Sequence, residues 1–270
     1  MLLIPAGPFT MGTDQSEVRR LSQETQGDRL EWYRREQPAH EIVLPDYKIA
    51  RGPVTVREFA VFIQTGGYDN PVFWSDAGWA WKTGNRITCP EYWGEEPWSG
   101  QPDYPVVGVS WYAAQAYCTW LSAVTGMPYR LPTEIEWEKA ARGPDGRRYP
   151  WGNVWDPACC NVNQQSRDSW ETQLRRPRPN GLSPVGKFSP QGDSPYGCVD
   201  MAGNVWEWCA TPLLRYPLTT PRPAITLNAT EPRVVRGGSW YHGPEDARCA
   251  ARYCYYPQGQ DNVVGFRVAL

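Results

Sequence analysis

Fifteen tryptophans and fifteen tyrosines are interspersed with 27 prolines and 25 glycines. Proline and glycine break long helices and strands, and aromatic rings pin irregular backbone by packing under it. A chain of this kind is therefore expected to form a loop-rich fold with few, short regular elements. Its 270 residues are enough to close a sizeable core. The 27 basic and 29 acidic side chains leave a net charge of −2, so there is no strong field to collect nucleic acid or an anionic membrane. No stretch approaches the roughly 20 apolar residues that span a bilayer. The apolar opening from Met1 is broken at Pro5 and Gly7 and lacks a basic start, so it does not read as a signal peptide. The expectation is a soluble, cytoplasmic protein.

Three helices carry their own punctuation. Thr55 and Glu58 form a capping box ahead of Phe59, Phe62 and Ile63, and Gly66-Gly67 stops the run, which predicts a helix over 55–65. Ser110 caps a second, with Trp111, Ala114, Tyr117, Cys118 and Leu121 at helical spacing before Gly126. Thr133 and Glu136 open a third that ends at Gly143. Residues 2–11 read as two short strands around Pro5-Ala6-Gly7-Pro8, and His40 to Leu44 as another. Between them, residues 14–38 read as a solvated, charged loop. Residues 70–104, with Trp74, Trp79, Trp81, Trp93 and Trp98, read as an ordered insertion over the core. Residues 143–200 are almost all turn residues. Arg233-Val234-Val235 and Gly265 to Leu270 are terminal strand candidates whose pairing would close the domain.

Chemistry is scarce. His40 and His242 are the only histidines, which leaves almost nothing for a histidine metal centre or a Ser-His-Asp triad. The eight cysteines show no CxxC pair, so zinc is not expected. Adjacent Cys159 and Cys160 are poorly placed to bridge each other.

Several segments occur in an order that resembles one family. They are Pro5 to Gly12, Pro105 to Trp111, Arg130 to Glu138, Pro150-Trp151-Gly152-Asn153, Met201-Ala202-Gly203-Asn204-Val205-Trp206-Glu207-Trp208, Arg236-Gly237-Gly238-Ser239-Trp240 and Gly265-Phe266-Arg267. Together they resemble the formylglycine-generating enzyme, or sulfatase-modifying factor, family. The resemblance implies a single α+β domain over 1–270, irregular and related to C-type lectins. Fold alone does not grant activity.

The resemblance also implies, for the enzyme, two cysteines shortly after the Gly-Gly-Ser motif that hold Cu(I). Here that segment reads Tyr241-His242-Gly243-Pro244-Glu245-Asp246-Ala247, without a thiol. A lone imidazole does not replace a thiolate pair, so copper is disfavoured and the enzyme reading leans negative. Cys118 and Cys249 resemble a structural disulfide pair of the family. Asp200, Gly203, Val205 and Glu207 match a calcium constellation of the family, and Asn161, Val162, Asn180 and Leu182 match a second one with fewer charges. Against this stands a simpler reading in which Asp200 and Glu207 only accept hydrogen bonds.

The chain is also similar to non-catalytic members of that fold, the variable proteins of diversity-generating retroelements. Their frame of fixed motifs and rewritten runs resembles Tyr241-His242-Gly243, then Tyr253-Cys254-Tyr255-Tyr256, then Asp261-Asn262-Val263. Every residue in these runs is reachable from the Asn codon AAC by changes at its adenines. Tyr-rich runs suit a binding surface, because Tyr offers broad amphipathic contact at small entropy cost. The expected ligand-binding residues are therefore Tyr241, His242, Gly243, Asp246, Tyr253, Cys254, Tyr255, Tyr256, Asp261 and Asn262. A solvent-facing patch of the Tyr and His side chains is expected, with a protein or small molecule as partner and neither nucleic acid nor membrane. The alternatives are inward packing of the tyrosines, a redox enzyme with a remodelled site, and an interaction domain without variation.

Overall fold

A computed structural model describes residues 1–25, 29–164, 181–218 and 231–270. The N-terminal strands β1 (Leu2–Ile4) and β2 (Gly7–Met11) flank the Pro5-Ala6 turn but do not pair with each other. β1 runs antiparallel to β4 (Tyr47–Ile49), and β2 antiparallel to β3 (His40–Leu44), with Phe9 opposite Ile42. A four-stranded sheet has the order β7 (Arg252–Tyr255), β6 (Arg233–Arg236), β5 (Trp206–Pro212) and β8 (Val264–Gly265). The two anticipated terminal strands do not pair directly, because β5 lies between them. Only Val264–Gly265 of the last segment is strand; beyond it, Ala269 bridges Ile49 and Arg130.

The three anticipated helices form where their caps place them. They are α3 (Val56–Gln64), α5 (Trp111–Thr125) and α6 (Glu134–Arg142). Both capping boxes are complete, and the Ser110 hydroxyl accepts from Ala113 N at 3.1 Å. An additional helix, α4 (Asp76–Gly84), is capped by Ser75 within the tryptophan-rich insertion. That insertion does cover the core: Trp74 is buried, and Trp79, Trp81, Trp93 and Trp98 pack against the cluster around Phe59, Tyr117 and Phe266.

The stretch 14–38 is not a solvated loop. It forms α1 (Gln15–Glu24) and α2 (Leu30–Arg34), which bury Val18, Leu21 and Tyr33. Asp14 caps α1 through Glu17 N at 2.8 Å, and Val18 and Leu21 fall three residues apart on its inner face. The arginines that suggested a loop occupy the outer face. Glu36, at the end of this excursion, is buried in a bidentate pair with Arg248 at 2.7 and 2.8 Å.

Helix α6 is buried along its whole length, charges included. Its polar side chains do the work of a second backbone. Lys139 Nζ donates to the carbonyls of Pro5 and Gly7, and Arg142 to those of Thr10 and Gly12. On its other side, Glu134 accepts from Arg236 at 2.9 Å and from Arg252 at 2.7 and 2.6 Å, while Glu138 takes the second arm of Arg236. Burial raises the Glu138 carboxyl, yet Arg142 and Arg236 outweigh it and hold the group ionised below its ordinary value. This network fixes β6 and β7, and so the segment that follows the Gly-Gly turn, against the N-terminal sheets.

Candidate functional site

Gly237 and Gly238 both adopt left-handed backbone, with φ of +100° and +76°. A Cβ on Gly238 would lie 2.8 Å from the carbonyl oxygen of Asp246, so only glycine lets the 239–247 loop fold back onto its own start. The loop presents Ser239, Trp240, Tyr241 and His242. Strand β7 lies beside β6 with Tyr253 opposite Val235 and Cys254 opposite Val234.

These segments build a continuous row of rings. Trp32 of α2 stacks on Tyr253, with centroids 4.9 Å apart and planes at 23°. Tyr253 meets Tyr255 at 5.2 Å and Trp206 at 6.1 Å. Trp206 meets His242 at 5.6 Å, His242 meets Tyr241 at 5.4 Å, and Tyr241 meets Trp240 at 5.8 Å. The row continues through Trp98 of the insertion, 5.4 Å from Trp240. Tyr241, His242, Tyr253 and Tyr255 are half-buried. The expected solvent-facing patch is thus corrected to a partly covered aromatic wall, because each ring shields the edge of the next. Tyr256 alone of the anticipated side chains is exposed, at 59%.

The remaining anticipated residues separate by position. Strand alternation turns Cys254 away from Tyr253 and Tyr255, onto the face of its register partner Val234. Gly243 is buried. Asp246 receives Arg29 Nη1 on both oxygens at 2.8 Å, so its carboxylate is committed within the protein. Asn262 offers its carbonyl to Trp240 Nε1 at 3.2 Å, and the Asp261 carbonyl accepts from Gly108 N at 2.9 Å; both anchor the rim by backbone. Trp32, Trp206 and Arg29 were missed. The ring pair Trp32-Tyr33 in an otherwise charged stretch was the signal for an inward face.

His242 is the one nitrogen ligand near the turn. Its Nδ1 accepts from Trp206 Nε1 at 3.2 Å and lies 2.7 Å from the Ser239 hydroxyl. Indole N–H can only donate, so Nδ1 carries the lone pair and Nε2 the proton. Burial, with Arg29 nearby, lowers the imidazole pKa and favours this neutral form. The lone pair a metal would need is therefore engaged. Burial also raises the thiols of Cys118, Cys198 and Cys209, and that of Cys249 to about 12, away from the thiolate form that binds copper. Among the described residues no group of three or more His, Cys, Asp and Glu side chains could hold a metal ion. These residues do not fit a copper centre.

Cys118 and Cys249 are free thiols in different core clusters, so the expected bridge is not formed. Cys118 faces the rings around helix α5, whereas the Cys249 backbone is fixed by Arg236 and Arg148 on the α6 side.

The first calcium constellation does not fit a cation either. Both oxygens of Glu207 accept from Arg267, and one also accepts from Trp137 Nε1 at 2.8 Å. The guanidinium occupies the place of the positive charge. Asp200 accepts from Gly186 N at 2.7 Å, and burial pushes its carboxyl up to about 6. Gly203 and Val205 belong to the buried turn leading into β5. In the second constellation, Asn161 donates to Gly181 O at 2.9 Å and toward Ser183 and Asn204, and its carbonyl accepts from Asn204 N at 2.8 Å. Val162 and Leu182 are buried beside it, and Asn180 lies outside the described residues. Among the described residues the hydrogen bonds of this network run between amide, hydroxyl and carbonyl groups.

A family model for the Sulfatase-modifying factor enzyme 1-like domain matches residues 1–270. The hercynine oxygenase of Mycolicibacterium smegmatis is 35% identical over 99% of this chain and 60% of its own length. The chain thus spans less than two thirds of the hercynine oxygenases it matches. The formylglycine-generating enzyme of Thermomonospora curvata is 33% identical, covering all of this chain and 92% of the relative. Among solved structures, Treponema denticola variable protein 1 superposes with a TM-score of 0.66 at 23% identity, over 100% of this chain and 94% of the other, and shares the fold. Among the described residues no helix is long and apolar enough to cross a membrane.

Proposed function

Because the chain belongs to the Sulfatase-modifying factor enzyme 1-like family over its full given length, we propose that it uses this scaffold to bind a ligand at the aromatic wall. The observation that carries the reading is the wall itself. Rings from α2, β5, the 239–242 loop and β7 converge there, and the only nitrogen ligand among them has its lone pair engaged. Half-buried Tyr and Trp side chains offer large contact area with little entropy left to lose, which suits recognition of a protein or a small molecule. The residue types of the 241–243, 253–256 and 261–263 runs, each reachable from an AAC codon altered at its adenines, are compatible with genetic diversification of this surface. Selection of a displayed peptide library on the immobilised chain tests the reading. Enriched binders should lose affinity for the Tyr241→Ala, Tyr255→Ala double variant. No enrichment, or binders indifferent to that variant, would overturn it. A template repeat and a reverse-transcriptase gene beside the coding sequence would establish the diversification.

A second reading follows from the 35% identity to a hercynine oxygenase. In it, the chain is the ligand-binding portion of an oxygenase, with the wall receiving the substrate. Calorimetric titration with hercynine separates the two: saturable binding lost in Tyr253→Ala supports the oxygenase portion, and absence of binding removes it.

A further inference from the structure

A cleft of about 300 Å³ is lined in part by α1 and shares no lining residue with the aromatic wall. Its lining is polar and includes Arg20, Arg142, Arg148 and Arg248. Asp14 and Glu17 lie on the same lining, and Glu24, Glu36 and Glu138 stand next to it without lining it.

The carboxylates around the cleft are already engaged. Glu17 receives Arg20 on both oxygens at 2.8 Å, Glu36 receives Arg248, and Asp14 caps α1 through one oxygen that also takes the Ser16 hydroxyl. Glu138 accepts from Gly12 N and pairs with Arg236. The donors are not all engaged. Arg142 gives Nη1 to Thr10 O and Gly12 O, yet its Nε finds no acceptor although its side chain is only 7% exposed. Arg148 Nε lies 3.3 Å from Glu17 Oε1, at ion-pair distance but without hydrogen-bond alignment. A buried guanidinium N–H without an acceptor is unfavourable, because it has lost its water without gaining a partner. The first turn of α1 adds the positive end of its dipole at the same mouth.

We propose that this cleft binds a small oxyanion, a carboxylate or phosphate group, that brings acceptor oxygens to Arg142 and Arg148. The geometry favours a planar or tetrahedral anion, since guanidinium forks match both. The site is independent of the aromatic wall, so it stands or falls apart from the proposed function.

Calorimetric titration of the full chain with inorganic phosphate and with malonate, at matched ionic strength, tests it. Saturable one-to-one binding of either anion is expected; tighter phosphate identifies a phosphoryl ligand, and tighter malonate a carboxylate. Arg142 is unsuited to substitution because it also holds Thr10 and Gly12. Asn153 lines the cleft and accepts from Arg148 N at 2.9 Å, so Asn153→Asp keeps that acceptor while adding a negative charge. Arg20, whose side chain is 53% exposed, is replaceable by Gln without disturbing the core. Both variants should retain the wild-type unfolding midpoint and weaken the anion roughly tenfold. No saturable heat with either anion would overturn the proposal, as would affinities unchanged in both variants.

Discussion

Trp32 and Tyr253 lie face to face, 4.9 Å between ring centroids, although one belongs to the N-terminal helix pair and the other to strand β7. The Arg35 guanidinium covers the Trp32 ring at 4.4 Å. Arg29 pairs with Asp246, and Arg248 pairs with Glu36. The excursion 14–38 is thereby joined to the loop and strand that carry the aromatic wall.

Trp32→Ala removes that stack. Offset aromatic pairs contribute about 0.5–1.5 kcal/mol beyond area burial, so the unfolding free energy from urea titration should fall by an amount in or above that range, with Trp32→Phe retaining part of it. Limited proteolysis should cut first within 14–38. An unchanged midpoint and cleavage pattern would show that the helix pair is held without the ring.

Arg236 is fully buried and serves both Glu134 and Glu138. Arg236→Met leaves Glu138 with Arg142 at 3.4 Å and Gly12 N, and Glu134 with Arg252. Removing one partner of a buried ion pair costs roughly 3–5 kcal/mol. Denaturant unfolding should show a loss of that order; a loss under about 1 kcal/mol would mean that the remaining arginines compensate fully.

How much of this was legible in the sequence depends on range. Thr55, Ser110 and Thr133 announced their helices because a cap and its partner sit within a few residues. The half-buried tryptophans of the insertion were legible too, since rings among glycine and proline must pack somewhere. The 14–38 stretch reads as a loop because its exposed arginines dominate the local pattern, whereas Val18, Leu21 and Tyr33 become buried only when α1 and α2 pack together, with Leu30 beside them and Arg248 over the Tyr33 ring. For Glu207 the sequence leaves calcium and hydrogen bonding both open for the same reason. Its partner Arg267 lies in another segment, and nothing local distinguishes a carboxylate awaiting a metal from one awaiting a guanidinium.

Asp200 gives a pH signature. Its carboxyl sits near 6 in the folded chain, above the ordinary 3.8, because burial disfavours the charge. The folded state therefore holds a proton that the unfolded state has released between about pH 4 and 6, and stability falls as pH rises through that window. Asp200→Asn removes this slope while keeping an acceptor for Gly186 N. At pH 7 the variant should be more stable by on the order of 2–3 kcal/mol, with no difference near pH 3. Calcium should leave the wild-type midpoint unchanged. A calcium-dependent rise abolished in Asp200→Asn would contradict the assignment of Glu207 to Arg267.

The division between recognition and oxidation is decided by aldehyde formation on a cysteine-containing peptide, followed by mass spectrometry with Cu(I) and oxygen supplied to the chain. With the His242 lone pair held by Trp206 and Ser239, and no thiol in the ring row, the peptide should leave at the level of a copper-only control. Turnover above that control, abolished in His242→Ala, would place a working copper centre in the wall and contradict the account.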